Sequence, residues 1–157
     1  MSAAIRARRR EVHYSSLEEF RADVERLAKG EFRTVGNWTF PQILDHLTKT
    51  MRCSLEGFGF KAPWFIRLAA PFIKNSSLTK PMKAGFKLPR RMAALLPDNE
   101  RSLSAALDNM RTVISRCQNE TPTRAHPVFG KMAGQEWTAL HLRHAELHMS
   151  FVVPKGS

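Results

Sequence analysis

Three histidines recur along one face of a single segment near the C-terminus. Stepping 100° per residue from Trp137 places His141, His144, His148 and Phe151 in one arc with Leu140 and Leu147. Their spacing of four, three, four and three is the core seam of a packed helix. A single histidine on an apolar face is ordinarily a core residue whose two nitrogens find partners. Three on one seam are harder to satisfy, because each buried imidazole needs two partners and burial opposes its charged form. A divalent cation satisfies such a cluster at once, since the neutral imidazole is its ligand. Histidines four apart, as His144 and His148 are, stand one turn above each other and can grip one ion from the same side.

A third ligand must come from elsewhere, and His46 is the best placed. It follows Ile43 by one turn and flanks the apolar stripe of an earlier helix. His13, ahead of the first helix, and His126, in a loop bounded by prolines, are weaker alternatives. Three neutral imidazoles leave the ion its charge and an open position, the arrangement of a catalytic rather than a structural site. Such a position lowers the pKa of bound water, binds a thiolate or polarises a carbonyl. No Ser-His-Asp pattern, P-loop or Gly-rich nucleotide fingerprint competes with it.

Four helical segments must position these residues. The first opens at Ser16 with Glu19 three residues on, carries Leu17, Phe20, Val24 and Leu27 at helical spacing, and stops at Gly30. The second opens at Thr39 with Gln42 in the capping-box position and Pro41 in the first turn, and ends at Gly57. The third runs from about Asn99 to Gln118 and the fourth from about Gly134 to Val152. No strand-like alternation and no repeat is visible. The sequence therefore predicts an all-α four-helix bundle over residues 15–153, preceded by a basic extension, 1–14. A long crossover, 57–97, joins the second and third helices. Five prolines in the crossover limit it to a turn or two of helix around Trp64, Phe65, Ile66, Leu68, Phe72 and Ile73.

The 157 residues suit one hydrophobic core, and 43% hydrophobic with 25% charged residues is a globular composition. No apolar run reaches membrane-spanning length and no apolar stretch follows the N-terminal arginines, so a cytoplasmic protein is expected. Cys53 and Cys117 lie in helical patterns outside any Cys-x-x-Cys motif and read as buried free thiols. The formal net charge is +11, and it is concentrated in two segments. One holds Arg6, Arg8, Arg9 and Arg10. The other holds Lys61, Arg67, Lys74, Lys80, Lys83, Lys87, Arg90 and Arg91, with no acid between Glu56 and Asp98. Such a segment attracts anionic partners: an acidic small-molecule substrate, nucleic acid or a membrane surface. No nucleic-acid readout motif accompanies it. An oligomer is compatible with the pattern.

Gly36-Asn37-Trp38-Thr39 followed by His46-Leu47, and later Glu136-Trp137 followed by His144-x-x-x-His148, resemble the DinB/YfiT-like superfamily of metalloenzymes. From His126-Pro127-Val128-Phe129-Gly130 through Phe151 the chain is similar to a bacterial branch of unknown function. The resemblance covers Leu17 to Phe151. It implies an up-down-down-up bundle and a metal, zinc or nickel, held by His46, His144 and His148. It also implies a place among thiol-dependent S-transferases, isomerases and members without known activity. Many relatives carry a His-His doublet and Gly-Gln where this chain has Leu147-His148-Met149-Ser150, so their substrates do not transfer. No role carries over to His141; it is expected to support the ligands or to stand in for one. Two functions from different classes follow. One is a metal-dependent S-transferase or hydrolase of a small acidic substrate. The other is a non-enzymatic, metal-stabilised bundle that binds an anionic partner through its crossover.

Overall fold

Among the described residues, three of the five α-helices open on a capping side chain. A computed structural model describes residues 9–155; Arg6 and Arg8 lie outside them. Helix α1, Leu17–Lys29, opens on the Ser16 hydroxyl, which accepts from the Glu19 amide. Helix α2, Phe40–Glu56, carries the full Thr39–Gln42 capping box with Pro41 in its first turn. Helix α4, Leu103–Asn119, opens on Ser102, so that it starts four residues after the expected Asn99. Helix α5, Gly134–Met149, lacks a capping side chain at Ala133; there the Glu136 carboxylate reaches back to accept from the Ala133 amide.

The crossover departs from expectation. Instead of a turn or two it forms a 16-residue helix, α3, Trp64–Thr79, with Pro71 inside it. An interior proline costs a helix about 3 kcal/mol through its missing donor and the clash with the preceding turn. Pro71 is exposed, and the opposite face is anchored: Ala70 is buried, Leu78 packs on Trp137 and its neighbours, and Lys74 pairs with Glu136 at 2.7 Å. Tertiary burial on α5 thus offsets the local penalty. A 3-10 helix, Arg90–Leu95, follows and packs on α2.

The fold is mostly helical but not purely so. Strands β1, Phe32–Thr34, and β2, Val152–Pro154, pair antiparallel with Arg33 opposite Val153. The fourth helix therefore stops at Met149, short of the expected Val152, and the chain extends to meet the α1–α2 link. Val152 and Val153 are buried β-branched residues, which suits a short strand on the core. Three residues per strand are too few for a visible alternation in sequence.

The main core joins α1, α2, α4 and α5 through residues such as Phe20, Leu44, Met110, Ile114 and Met149. Helix α2 packs on α4 and α5, and α1 packs on the same two. A smaller cluster, Met132, Trp137 and Leu140 with Phe58, Leu78, Met82 and Phe129, ties α3 to the start of α5. From Arg9 onward the N-terminal segment is attached to the body. Arg9 bonds the Ser150 hydroxyl at 2.6 Å and stacks over Phe151, while Arg10 pairs with Asp23. Tyr14 is buried, and its amide donates to Glu146 at 2.7 Å. No helix among the described residues is long and apolar enough to cross a membrane.

Candidate metal centre

His46 projects from the middle of α2, and His144 and His148 from successive turns of α5, which packs on α2. One ligand atom from each lies within 4.8 Å of the other two. His144 Nε2 stands 3.2 Å from His46 Nε2 and 3.0 Å from His148 Nε2. The rings meet nearly edge to face, at 79° for His46 with His144 and 82° for His144 with His148. His46 is fully buried, whereas His144 and His148 are half-buried at a cavity wall.

A backbone hydrogen bond sets the tautomer of His46. His46 Nδ1–H donates to the Leu95 carbonyl at 2.6 Å, which leaves Nε2 as a lone pair aimed at the cluster. The Thr50 hydroxyl donates to the Leu47 carbonyl at 2.9 Å and lies 3.4 Å from His144 Nδ1. His144 Nε2 faces that lone pair at 3.2 Å, close enough for the two nitrogens to share a proton or a cation. The donor set therefore fits a divalent metal. Two nitrogens each roughly 2.0–2.2 Å from one zinc ion stand roughly 3–3.5 Å apart, close to the separations found. The Leu95 carbonyl behind His46 is the kind of outer partner that orients a metal-binding imidazole.

Protonation states agree with this chemistry. Burial lowers the pKa of all three histidines, that of His144 well below its ordinary value and that of His148 to about 3, and neighbouring positive charge adds to the effect. At neutral pH each ring is uncharged and able to ligate.

Supporting residues outside the three come from distant parts of the chain. Trp38 stacks on His148 with an interplanar angle of 14° and leans on His46 at 4.9 Å. Gly36 makes room for this corner: a Cβ there would meet the Phe151 ring at 2.9 Å. Asp45, buried beside His46, receives Lys49 at 2.9 Å and the Asp98 amide at 2.9 Å, and Arg101 Nε lies 3.1 Å away. Lys49 also donates to the Leu96 carbonyl at 2.8 Å. This network fastens the end of the 3-10 helix to α2 and so holds the Leu95 carbonyl on His46. Gly36 and Trp38 alone are foreshadowed in the sequence, by their place in the Gly36–Thr39 motif. The carbonyl leaves no trace in side-chain patterns.

The remaining histidines fall elsewhere. His141 is buried a turn before His144, bonds the Ser54 hydroxyl through Nε2 at 3.1 Å and stacks on Trp137. His126 stacks on Phe129, and its Nδ1 accepts from the Val128 and Phe129 amides, both at 3.1 Å. Burial holds both near pKa 4. His13 is exposed, 3.1 Å from Glu146.

A cavity of about 1230 Å³ opens over the cluster, with all three histidines, His126 and His141 in its wall. Its other side is the crossover: Phe72, Ile73, Met82, Phe86 and Leu88, with Lys80, Lys83 and Lys87. The crossover aromatics Phe72 and Phe86 face it. Trp64 and Phe65 are not among the lining residues.

Fold and site define a mostly helical protein with a small two-stranded sheet and a convergent three-histidine group. Over residues 6–155 the chain matches the family described as protein of unknown function DUF1569, and it belongs to that family. No curated protein and no solved structure matches it.

Proposed function

We propose that this protein is a metalloenzyme of the DinB/YfiT-like kind, with a zinc or nickel ion held by His46, His144 and His148. The observation that carries this reading is the convergence of three imidazoles within 4.8 Å, with the Leu95 carbonyl holding His46 Nε2 as a lone pair towards His144. In fold terms the reading is an up-down-down-up bundle of α1, α2, α4 and α5 with residues 57–97 as its crossover, supported by the packing of α1 and α2 on both α4 and α5.

When bound, the metal supplies Lewis acidity at the inner wall of the cavity. The chain's own contribution is placement. Trp38 and Leu95 hold two ligand rings, the apolar crossover residues exclude water, and Lys80, Lys83 and Lys87 favour an acidic substrate at the wall. Cys53 and Cys117 are free thiols, but burial raises both pKa values, that of Cys117 to about 11. Neither is a thiolate nucleophile at neutral pH. A thiol-dependent transfer thus needs a thiol cosubstrate, and hydrolysis needs none.

The test is metal content of protein prepared without a histidine tag and exposed to zinc or nickel. The expected result is one ion per chain in wild type and none in His46→Ala or His148→Leu. Retention of the ion by both variants would overturn the assignment.

A further inference from the structure

The outward face of α3 is apolar where an ordinary surface helix is polar. On a 100° step, Trp64, Leu68, Phe72 and Phe65 share one arc about 100° wide. They are 75%, 70%, 86% and 58% exposed. The opposite face, with Ala70, Lys74 and Leu78, is the one seated on α5 and its neighbours. The arc is therefore not a misplaced core stripe, because the helix has already spent its inward face. Phe86, 74% exposed in the following loop, adds to the same segment. A contiguous apolar surface of this kind marks an interaction site.

Charge identifies the occupant. Between Glu56 and Asp98 the chain has eight bases and no acid. Lys74 is paired with Glu136. Lys61, Arg67, Lys80, Lys83, Lys87, Arg90 and Arg91 are exposed, and none forms an ion pair among the described residues. A second copy of this face would repel the first. The partner must be anionic and must accept both aliphatic and aromatic side chains. Duplex nucleic acid meets the first requirement and not the second, since Leu68 at the middle of the arc offers nothing to a phosphate or a base edge. An anionic bilayer surface meets both: apolar side chains sink below headgroups that attract the lysines and arginines.

We propose that α3 and the loop after it form an interfacial docking surface for anionic phospholipid membrane, with Trp64, Phe65, Leu68 and Phe72 inserted and the flanking bases on the headgroups. None of the three histidines belongs to the surface, and docking needs no metal. Because Phe72 and Phe86 also line the cavity, docking sets its crossover side against the lipid.

The experiment uses the full chain, with chelator and separately with zinc. The vesicles are phosphatidylcholine alone, or roughly two-thirds phosphatidylcholine and one-third phosphatidylglycerol. Trp64 is the exposed tryptophan, Trp137 being buried and Trp38 half-buried, so its emission reports insertion. The anionic vesicles should bind the protein and shift that emission to the blue, with or without zinc. Phosphatidylcholine alone should bind at least roughly tenfold more weakly, and salt raised from about 0.1 M to 1 M should release the protein. Leu68→Glu and Phe72→Glu lie on the solvent face and should keep the wild-type far-UV spectrum. Each should weaken binding roughly tenfold or more. Trp64→Phe should abolish the emission shift while sedimentation with the vesicles persists.

Any of three results would overturn the proposal. One is no binding to the anionic vesicles. Another is vesicle binding unchanged in both glutamate variants. The third is tighter binding to duplex DNA than to anionic vesicles at equal salt. Concentration-dependent dimerisation that Leu68→Glu abolishes, without vesicle binding, would assign the arc to a second copy and count against it equally.

Discussion

His148 completes the group, and its environment separates metal binding from folding. It is half-buried at the cavity wall and stacked on Trp38, so a leucine of similar size retains most of its apolar contact. His148→Leu should therefore lose the zinc-induced rise in unfolding midpoint and cost the metal-free protein little. In wild type a free zinc concentration one hundred times the Kd should add about 2.7 kcal/mol of stability. Thermal unfolding with chelator and with zinc measures both quantities, and a wild-type response in the variant would remove His148 from the ligand set.

His141 carries a different consequence, in the pH dependence of stability. Burial holds its pKa at about 4, below the ordinary value of 6.5. Between those values the unfolded chain binds a proton that the folded chain refuses. Its contribution is therefore complete above pH 6.5 and is lost as pH falls towards 4, at about 1.4 kcal/mol per unit. His126, also held near 4, acts in the same direction. Urea unfolding in chelator across pH 7 to 4.5 should show this slope, and His141→Leu should flatten it by about one proton's worth. An unchanged slope would mean that His141 does not stay neutral in the fold.

At the scale of elements, the 3-10 helix matters more than its length suggests, because its Leu95 carbonyl fixes His46. Its anchor is Asp45, a buried carboxylate among Lys49, Arg101 and the Asp98 amide. Asp45→Ala leaves Lys49 and Arg101 paired with the exposed Asp98 alone and the Asp98 amide without its acceptor, and should destabilise the fold by about 1–3 kcal/mol. Where the variant still folds, zinc affinity should drop about 10–100-fold, the range for loss of an outer partner. Calorimetric titration of the variant reads that loss, and wild-type affinity would show that the Leu95 carbonyl is held by other means.

Helix α3 is the opposite case, an element that its own sequence argues against. Pro71 and the absence of a capping side chain disfavour it locally, while Ala70, Leu78 and the Lys74–Glu136 pair recruit it to α5. The two short strands are recruited in the same way by burial of Val152 and Val153.

For the whole molecule, Trp137 joins the smaller cluster to the body of α5. It is fully buried, stacks on His141 and lies beneath Phe58 and His126. Trp137→Ala should cost about 3–5 kcal/mol. The folded fraction of that variant should still respond to zinc, because the three ligands lie further along α5 and on α2. Loss of the zinc response in protein that remains folded would show that the two clusters are coupled.

The sequence by itself determined what depends on near neighbours: the caps at Ser16 and Thr39, the apolar stripes of α1, α2 and α4, and the seam carrying His141, His144 and His148. These are fixed within a few residues along the chain, so composition and spacing display them. Only the tertiary structure decided which seam histidines converge, because His141 differs from His144 and His148 by what faces it across the helix interface: Ser54 rather than His46. It also separated His46 from His13 and His126, supplied the Leu95 carbonyl, extended α3 through Pro71 and paired β1 with β2. Each of these is a contact between residues far apart in the chain. Its energy comes from burial and hydrogen bonding across elements, and no local pattern encodes that.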